Sequence, residues 1–154
     1  MDGELTQLDP AHKTVMRIEI ALVTLPFLVA AVVMEIADLA PWKGVFVGPV
    51  VVIAVLLIAM VPLRRYLARG YDMASDRLRV VRGLMFKHDT VVPFGRVQHI
   101  DVEQGPLERA FDIARLVLHT AGTHNSSVTL PGLKHADALA MREAIRSHIK
   151  RDTM

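Results

Sequence analysis

Cysteine is absent from the 154-residue chain, which removes disulfides, thiolate catalysis and Cys-ligated zinc and leaves the redox compartment open. Aromatic residues are scarce, 5% with a single Trp, so the basic side chains have no stacking platform beside them and nucleic acid is not an expected partner. Charge is scarce only in places. Val45 to Leu63 carries none, and Ile18 to Ile36 is interrupted only by Glu19, Thr24, Pro26 and Glu35. The first 63 residues hold three basic and six acidic side chains and the remainder fifteen and ten, so the net charge of +2 divides into about −3 and +5.

What the chain has in excess is apolar residues, 52% of the total, which is high for one modest soluble domain. A hydrocarbon core of about 30 Å takes roughly 20 helical residues at about 1.5 Å each, and both charge-poor runs are long enough. Two helices that are apolar all round exceed what so small a domain can cover as core. A cleaved signal peptide also fits poorly, because the first run starts late, lacks a small-residue cleavage site and is followed by a second run. Lys13 and Arg17 precede the first run, Arg64, Arg65 and Arg69 follow the second, and the connection carries only Lys43 against Glu35 and Asp38. The positive-inside rule therefore expects both termini in the cytoplasm and the short loop outside. Trp42 suits an interfacial anchor, with Pro41 and Gly44 closing one helix and opening the next. Pro26 and Pro49 are expected to kink the spans, and Glu19 and Glu35 to face head groups rather than form a proton path.

Beyond Arg65 the period changes to that of strands. "RLRVVRG" (77–83) and "MFKHDTVVP" (85–93) read as a hairpin joined tightly through Gly83. "RVQHIDVEQ" (96–104) alternates Gln98, Ile100 and Val102 against Val97, His99 and Asp101, and "ARLVLHTAG" (114–122) with "SSVTLPG" (126–132) forms a further pair ended by Pro131 and Gly132. Ala138, Met141, Ile145 and Ile149 then recur at helical spacing, so an amphipathic helix finishes the chain. The expected organisation is a polar lead over 1–14, loose in its first ten residues, a transmembrane helical hairpin over 15–65, and an α+β domain over 66–154. There is no internal repeat or low-complexity segment.

Two spans followed by "GYDMASDRLRVVRG", "VVPFGRVQHIDVEQGPLERAFDIARLVLHTAG" and "VTLPGL" resemble the bacterial pleckstrin-homology family of YdbS-like membrane proteins over nearly the whole chain. The most specific part is 92–122, with Val97 and Gln98, Gln104 to Pro106, Arg109 and Phe111, and Thr120 to Gly122. The resemblance implies a pleckstrin-homology-like antiparallel β-barrel or sandwich capped by the C-terminal helix, displayed on the cytoplasmic face of a bacterial inner membrane. It implies no reaction and no cofactor. Family members often occur beside a larger relative with several such domains, and some are linked to envelope stress or resistance to antimicrobial peptides.

The stretch "VQHIDVEQGPLERAF" is expected to be a structural corner. Gly105 would supply a backbone conformation that side-chained residues resist, and Pro106 would start a helical turn. Leu107, Phe111 and Ile113 would bury while Glu108, Arg109 and Asp112 face out or pair locally, Arg109 bonding carbonyls or a carboxylate, and Gln98 and Gln104 would satisfy backbone groups. His88, His99, His119 and His124 match no ligand spacing, so no metal is expected. Thr120, Ser126 and Ser127 come with no nucleophile elbow or oxyanion motif, so no catalytic residues are expected either.

The basic residues carry more. Arg64, Arg65 and Arg69 follow the second span at once, and Arg77, Arg79, Arg82 and Lys87 run along the first hairpin. Each such charge near an anionic leaflet is worth about 1 kcal/mol; the plainer reading is topology signal plus solvated strand faces. The expected function is a membrane-anchored interaction or scaffold module, homo-oligomeric or docked on a larger related membrane protein, using strand edges and the helix face. The alternative is a module that binds anionic lipid head groups on the cytoplasmic leaflet.

Overall fold

The first charge-poor run lies within α1 (Pro10–Ile36), and the second, apart from Val45 and Phe46, within α2 (Val47–Leu67). The computed structural model describes residues 4–122 and 127–152, so His124 and Ser126 lie outside the described residues. Only 6% of the most apolar window of each helix is buried within the protein, the reverse of a soluble core helix and the state in which an apolar surface needs lipid.

The connection between the helices corrects two expectations. Glu35 does not simply face head groups: its carboxylate accepts the backbone N–H of Gly44, of Phe46 at 3.2 Å and of Val47 at 3.4 Å. Those N–H groups at the start of α2 have no intrahelical partner, and a carboxylate there also meets the positive end of the helix dipole. Pro49 falls in the first turn of α2, where its missing N–H costs no ladder bond. The prolines inside the helices are Pro26 in α1 and Pro62 in α2.

After α2 come β1 (Gly70–Met73), β2 (Arg77–Arg82) and β3 (His88–Pro93), a 3-10 turn at Phe94–Arg96, β4 (Val97–Glu103), α3 (Pro106–Ala110), β5 (Ile113–Thr120), β6 (Ser127–Lys134) and α4 (His135–Asp152). All pairing is antiparallel, in two three-stranded sheets of order β1-β2-β3 and β4-β5-β6. The expected α+β domain is present as a sandwich-like pair of sheets with a C-terminal helix, and not as a closed barrel. The shared core takes Leu78, Val80 and Val92 from the first sheet, Leu116, Leu118 and Leu130 from the second, and Ala138, Met141 and Ile145 from α4. The helical face read from the spacing is therefore the face that packs.

Two bulges explain where the strand reading slips. The register shifts between Val97 and His99, so Gln98 is an extra residue in β4; Val97 is buried and, beyond the bulge, Ile100 and Val102 pack inward. Gln98 is exposed and does not share their face. In β6, Pro131 and Gly132 do not end the strand: Ala114 faces Leu133 and Leu116 faces Leu130, so these two residues stand opposite Arg115 alone. A bulge tolerates the N–H that proline lacks, and Gly132 takes a left-handed φ of +71°.

Residues 6–12 are not a loose lead. Thr6 and Tyr71 exchange backbone hydrogen bonds of 2.7 and 3.1 Å, which adds residue 6 to the outer edge of β1. Leu8 is buried in the core, its carbonyl accepts the Tyr66 hydroxyl at 2.7 Å, and the Asp9 N–H donates to the Gly132 carbonyl at 2.7 Å. Residues up to His12 thus group with Arg65–Met154 as one compact unit, and Lys13–Arg64 forms the other.

Candidate functional site

The register of β1 on β2 sets Gly70 opposite Val81, and that of β2 on β3 sets Arg82 opposite His88. Arg82 therefore ends its strand where the chain enters β1, next to Arg69. Arg65, Ala68, Arg69, Arg82, Gly83, Leu84 and His88 line a cavity of about 330 Å³. Three arginines that are 4 and 13 residues apart in the chain meet at one concavity.

Arg69 is the best positioned of the three. Its Nη1 lies 3.1 Å from His12 Nε2; a guanidinium has no acceptor, so the imidazole accepts and its ring proton sits on Nδ1. That Nδ1 is buried without a partner among the described residues. His12 is held close against the β6 bulge, where a Cβ on Gly132 would fall 2.8 Å from the imidazole. Burial first, then the like charges of Arg65 and Arg82, push the Arg69 guanidinium below its ordinary pKa. The like charges of Arg65 and Arg82 thus bear on Arg69 across this concavity.

The other candidate arginines go elsewhere. Arg79 reaches across to Asp89 on β3, with Nε–Oδ1 2.9 Å and Nη2–Oδ2 2.5 Å, and holds that carboxyl below the usual range. Arg77, at the opposite end of β2 beside Pro93, lies 4.0 Å from Asp76. Arg64 closes the helical unit and does not line the cavity.

The corner is structural, though built differently from the expectation. Gly105 has φ −77°, open to any residue; what it supplies is room, because a Cβ would stand 3.3 Å from Glu108 Oε2. Pro106 does begin α3. Glu108, only 9% exposed, accepts the Gly105 N–H at 2.6 Å and lies 3.4 Å from Arg115 Nη2. The holding pair is therefore Glu108 and Arg115; Arg109 is exposed and Phe111 is 37% exposed rather than an anchor. Gln104 satisfies a backbone group as expected, donating to the Ile113 carbonyl at 2.9 Å. A Glu three residues after a Gly-Pro step was the available signal for the Glu108 cap.

The histidines fall into separate places. His88 lines the arginine concavity. His99 and His119 face each other across β4 and β5, with Nε2 atoms 2.9 and 3.3 Å from the two Asp101 carboxylate oxygens. Among the described residues no group of three ligating side chains is placed to hold a metal ion.

The family described as bacterial PH domain matches residues 18–149. The UPF0699 transmembrane protein YdbS of Bacillus subtilis (strain 168) is 27% identical over 92 residues, 60% of this chain and 56% of YdbS, so the matched stretch spans about half the length of that relative. A DUF1696 family protein with a pleckstrin-homology domain from Shewanella loihica PV-4 has 18% identity and a TM-score of 0.42, with 55% of this chain and 74% of that one covered. A transmembrane relative together with two long apolar helices indicates membrane localisation.

Proposed function

The chain belongs to the bacterial PH domain family, and from that premise we propose a membrane-anchored PH-like domain whose arginine concavity holds the phosphate of an anionic lipid head group. The observation that carries the reading is the convergence of Arg65, Arg69 and Arg82 on one cavity. Guanidinium forks match phosphate oxygens in charge and geometry, and an anion there would offset the mutual repulsion felt by Arg69. Arg65 comes two residues after Leu63, the end of the charge-free run, which is about 3 Å of helical rise. The basic flanks favour the cytoplasmic leaflet of an inner membrane as the surface this cavity meets, where anionic lipid is available. The reading is binding, not catalysis.

The test is native mass spectrometry of the full chain in detergent with equimolar short-chain phosphatidylglycerol and phosphatidylcholine. Preferential retention of the anionic lipid, lost in Arg65→Ser/Arg82→Ser, is expected; equal retention of both lipids, or an unchanged variant, would sink the reading. Arg69 is left intact because it also packs on His12.

A second reading, docking of a second copy or a larger relative, draws on another surface. β4 has no second strand neighbour among the described residues, and Gln98 and Asp101 share a groove of about 590 Å³ with Arg142, Arg146 and Lys150 of α4. An edge strand beside a basic helix face can accept an added strand. Cross-linking from position 98 in native membranes checks it; a monomer with no cross-linked species would count against it.

A further inference from the structure

The loop that follows Arg82 differs from the tight turn expected there. β3 begins at His88 rather than near Met85, which leaves residues 83–87 as a loop. Leu84, Met85 and Phe86 are 51%, 89% and 78% exposed. Single exposed apolar side chains are ordinary, but three in succession, one of them aromatic, form the kind of patch that a soluble surface avoids. The loop shape depends on glycine. Gly83 has φ +123°, and a Cβ there would fall 1.8 Å from the Phe86 carbonyl oxygen, so the chain can fold back closely enough to present the triplet only without a side chain.

The surroundings supply a second, independent observation. Arg82 and Lys87 bracket the triplet in sequence, and Leu84 lines the same cavity as Arg65, Arg69 and Arg82. The pairing of Gly70 with Val81 puts this loop at the end of the sheet where the chain arrives from α2. An apolar tip ringed by bases, next to the residues that follow a membrane span, is complementary to one environment in particular: acyl chains lying under a layer of anionic phosphates.

We propose that Leu84, Met85 and Phe86 insert into the anionic leaflet as a second anchor, with Arg82 and Lys87 at the level of the phosphates. The anchor rests on the reading that the arginine concavity faces head groups, and it adds the orientation: the β2–β3 end of the domain is pressed into the bilayer, and the β1–β2 turn stays in water.

The absence of cysteine makes the test direct. Met85→Cys and, at the other end of the hairpin, Ser75→Cys each accept one environment-sensitive fluorophore in the full chain, reconstituted in nanodiscs with or without phosphatidylglycerol. The probe at position 85 is expected to shift to the blue, to be quenched by nitroxides on the acyl chains and to be shielded from aqueous iodide, whereas the probe at 75 stays iodide-accessible. Phe86→Asp should return the position-85 probe to water without changing helix content.

Equal iodide quenching at 85 and 75 in both lipid mixtures overturns the proposal. So does a shift that grows with protein density and comes with disulfide-linked dimers of unlabelled M85C, because the occupant is then a second copy. The two readings fail separately. Insertion of the position-85 probe together with equal retention of phosphatidylglycerol and phosphatidylcholine keeps the anchor and removes the concavity, and selective retention of phosphatidylglycerol with the loop in water keeps the concavity and overturns the anchor.

Discussion

At the corner between β4 and β5 a charged side chain, Glu108, is 9% exposed; at the loop between β2 and β3 an aromatic one, Phe86, is 78% exposed. Each stands where the other type would be expected. In the corner the inversion is resolved inside the fold, since the buried carboxylate receives the Gly105 N–H and faces Arg115. In the loop the described structure supplies no such compensation for the exposed triplet. The difference separates a distinctive stretch that is finished as structure from a plain one that calls for something outside the chain.

That comparison can be broken in several places. The largest effect is expected from Glu108→Ala, which strands the Gly105 N–H and leaves Arg115 with Glu103 at 3.6 Å as its remaining carboxylate, and should cost about 2–3 kcal/mol in chemical denaturation of the detergent-solubilised chain. Gly83→Ala comes next, at roughly 1–2 kcal/mol of local strain; hydrogen exchange should rise at residues 82–88 while β5 remains protected. Gly105→Ala is the sharpening control. Its φ of −77° is open to alanine and its Cβ only presses on a carboxylate, so under about 1 kcal/mol is expected. A cost equal to that of Gly83→Ala would show that the two glycines do the same job.

Phe86→Ser should leave stability within about 0.5 kcal/mol, because it removes no buried contact, and its effect should appear only in a bilayer. The smallest change concerns acid. Asp89 is exposed and held below the usual carboxylate range by Arg79. A folded-state pKa below the unfolded value gives stability that is present above the ordinary carboxylate range and fades as pH falls through the lowered value. Asp89→Asn should slightly flatten the acid limb of a stability-versus-pH curve measured by thermal melting.

The helices and most strands were legible because one-sided burial writes a period into the chain: Leu78 and Val80, or Ala138, Met141 and Ile145, are both the pattern and the core. β1 was not, because "GYDM" has no alternation and gains its outer neighbour from residue 6. The β6 bulge hid behind Pro131 and Gly132, which usually stop a strand, and the β4 bulge at Gln98 reversed the parity that period-two reading assumes. At the site, individual arginines were visible but their meeting was not. It depends on which residue of β2 faces Gly70, and a one-residue slip would send Arg82 away from Arg69. At the corner Phe111 and Arg109 stand out in the sequence, while Glu108 becomes central only once its neighbours are placed.

The clasp between His12 and Arg69 also bears on how the chain threads a membrane. One of these residues precedes the first apolar run and the other follows the second, yet both belong to a single compact unit. Residues on either side of the hairpin can share a core only if they are on the same side of the bilayer. Any crossings made by the intervening segment must therefore be even in number, and the sheet next to Thr6 can be completed only when residues 6–12 and the strands are on one side. The fold acts as a parity check on insertion: a chain that stopped after one span would leave Leu8, Asp9 and His12 on the far side from the strands that hold them.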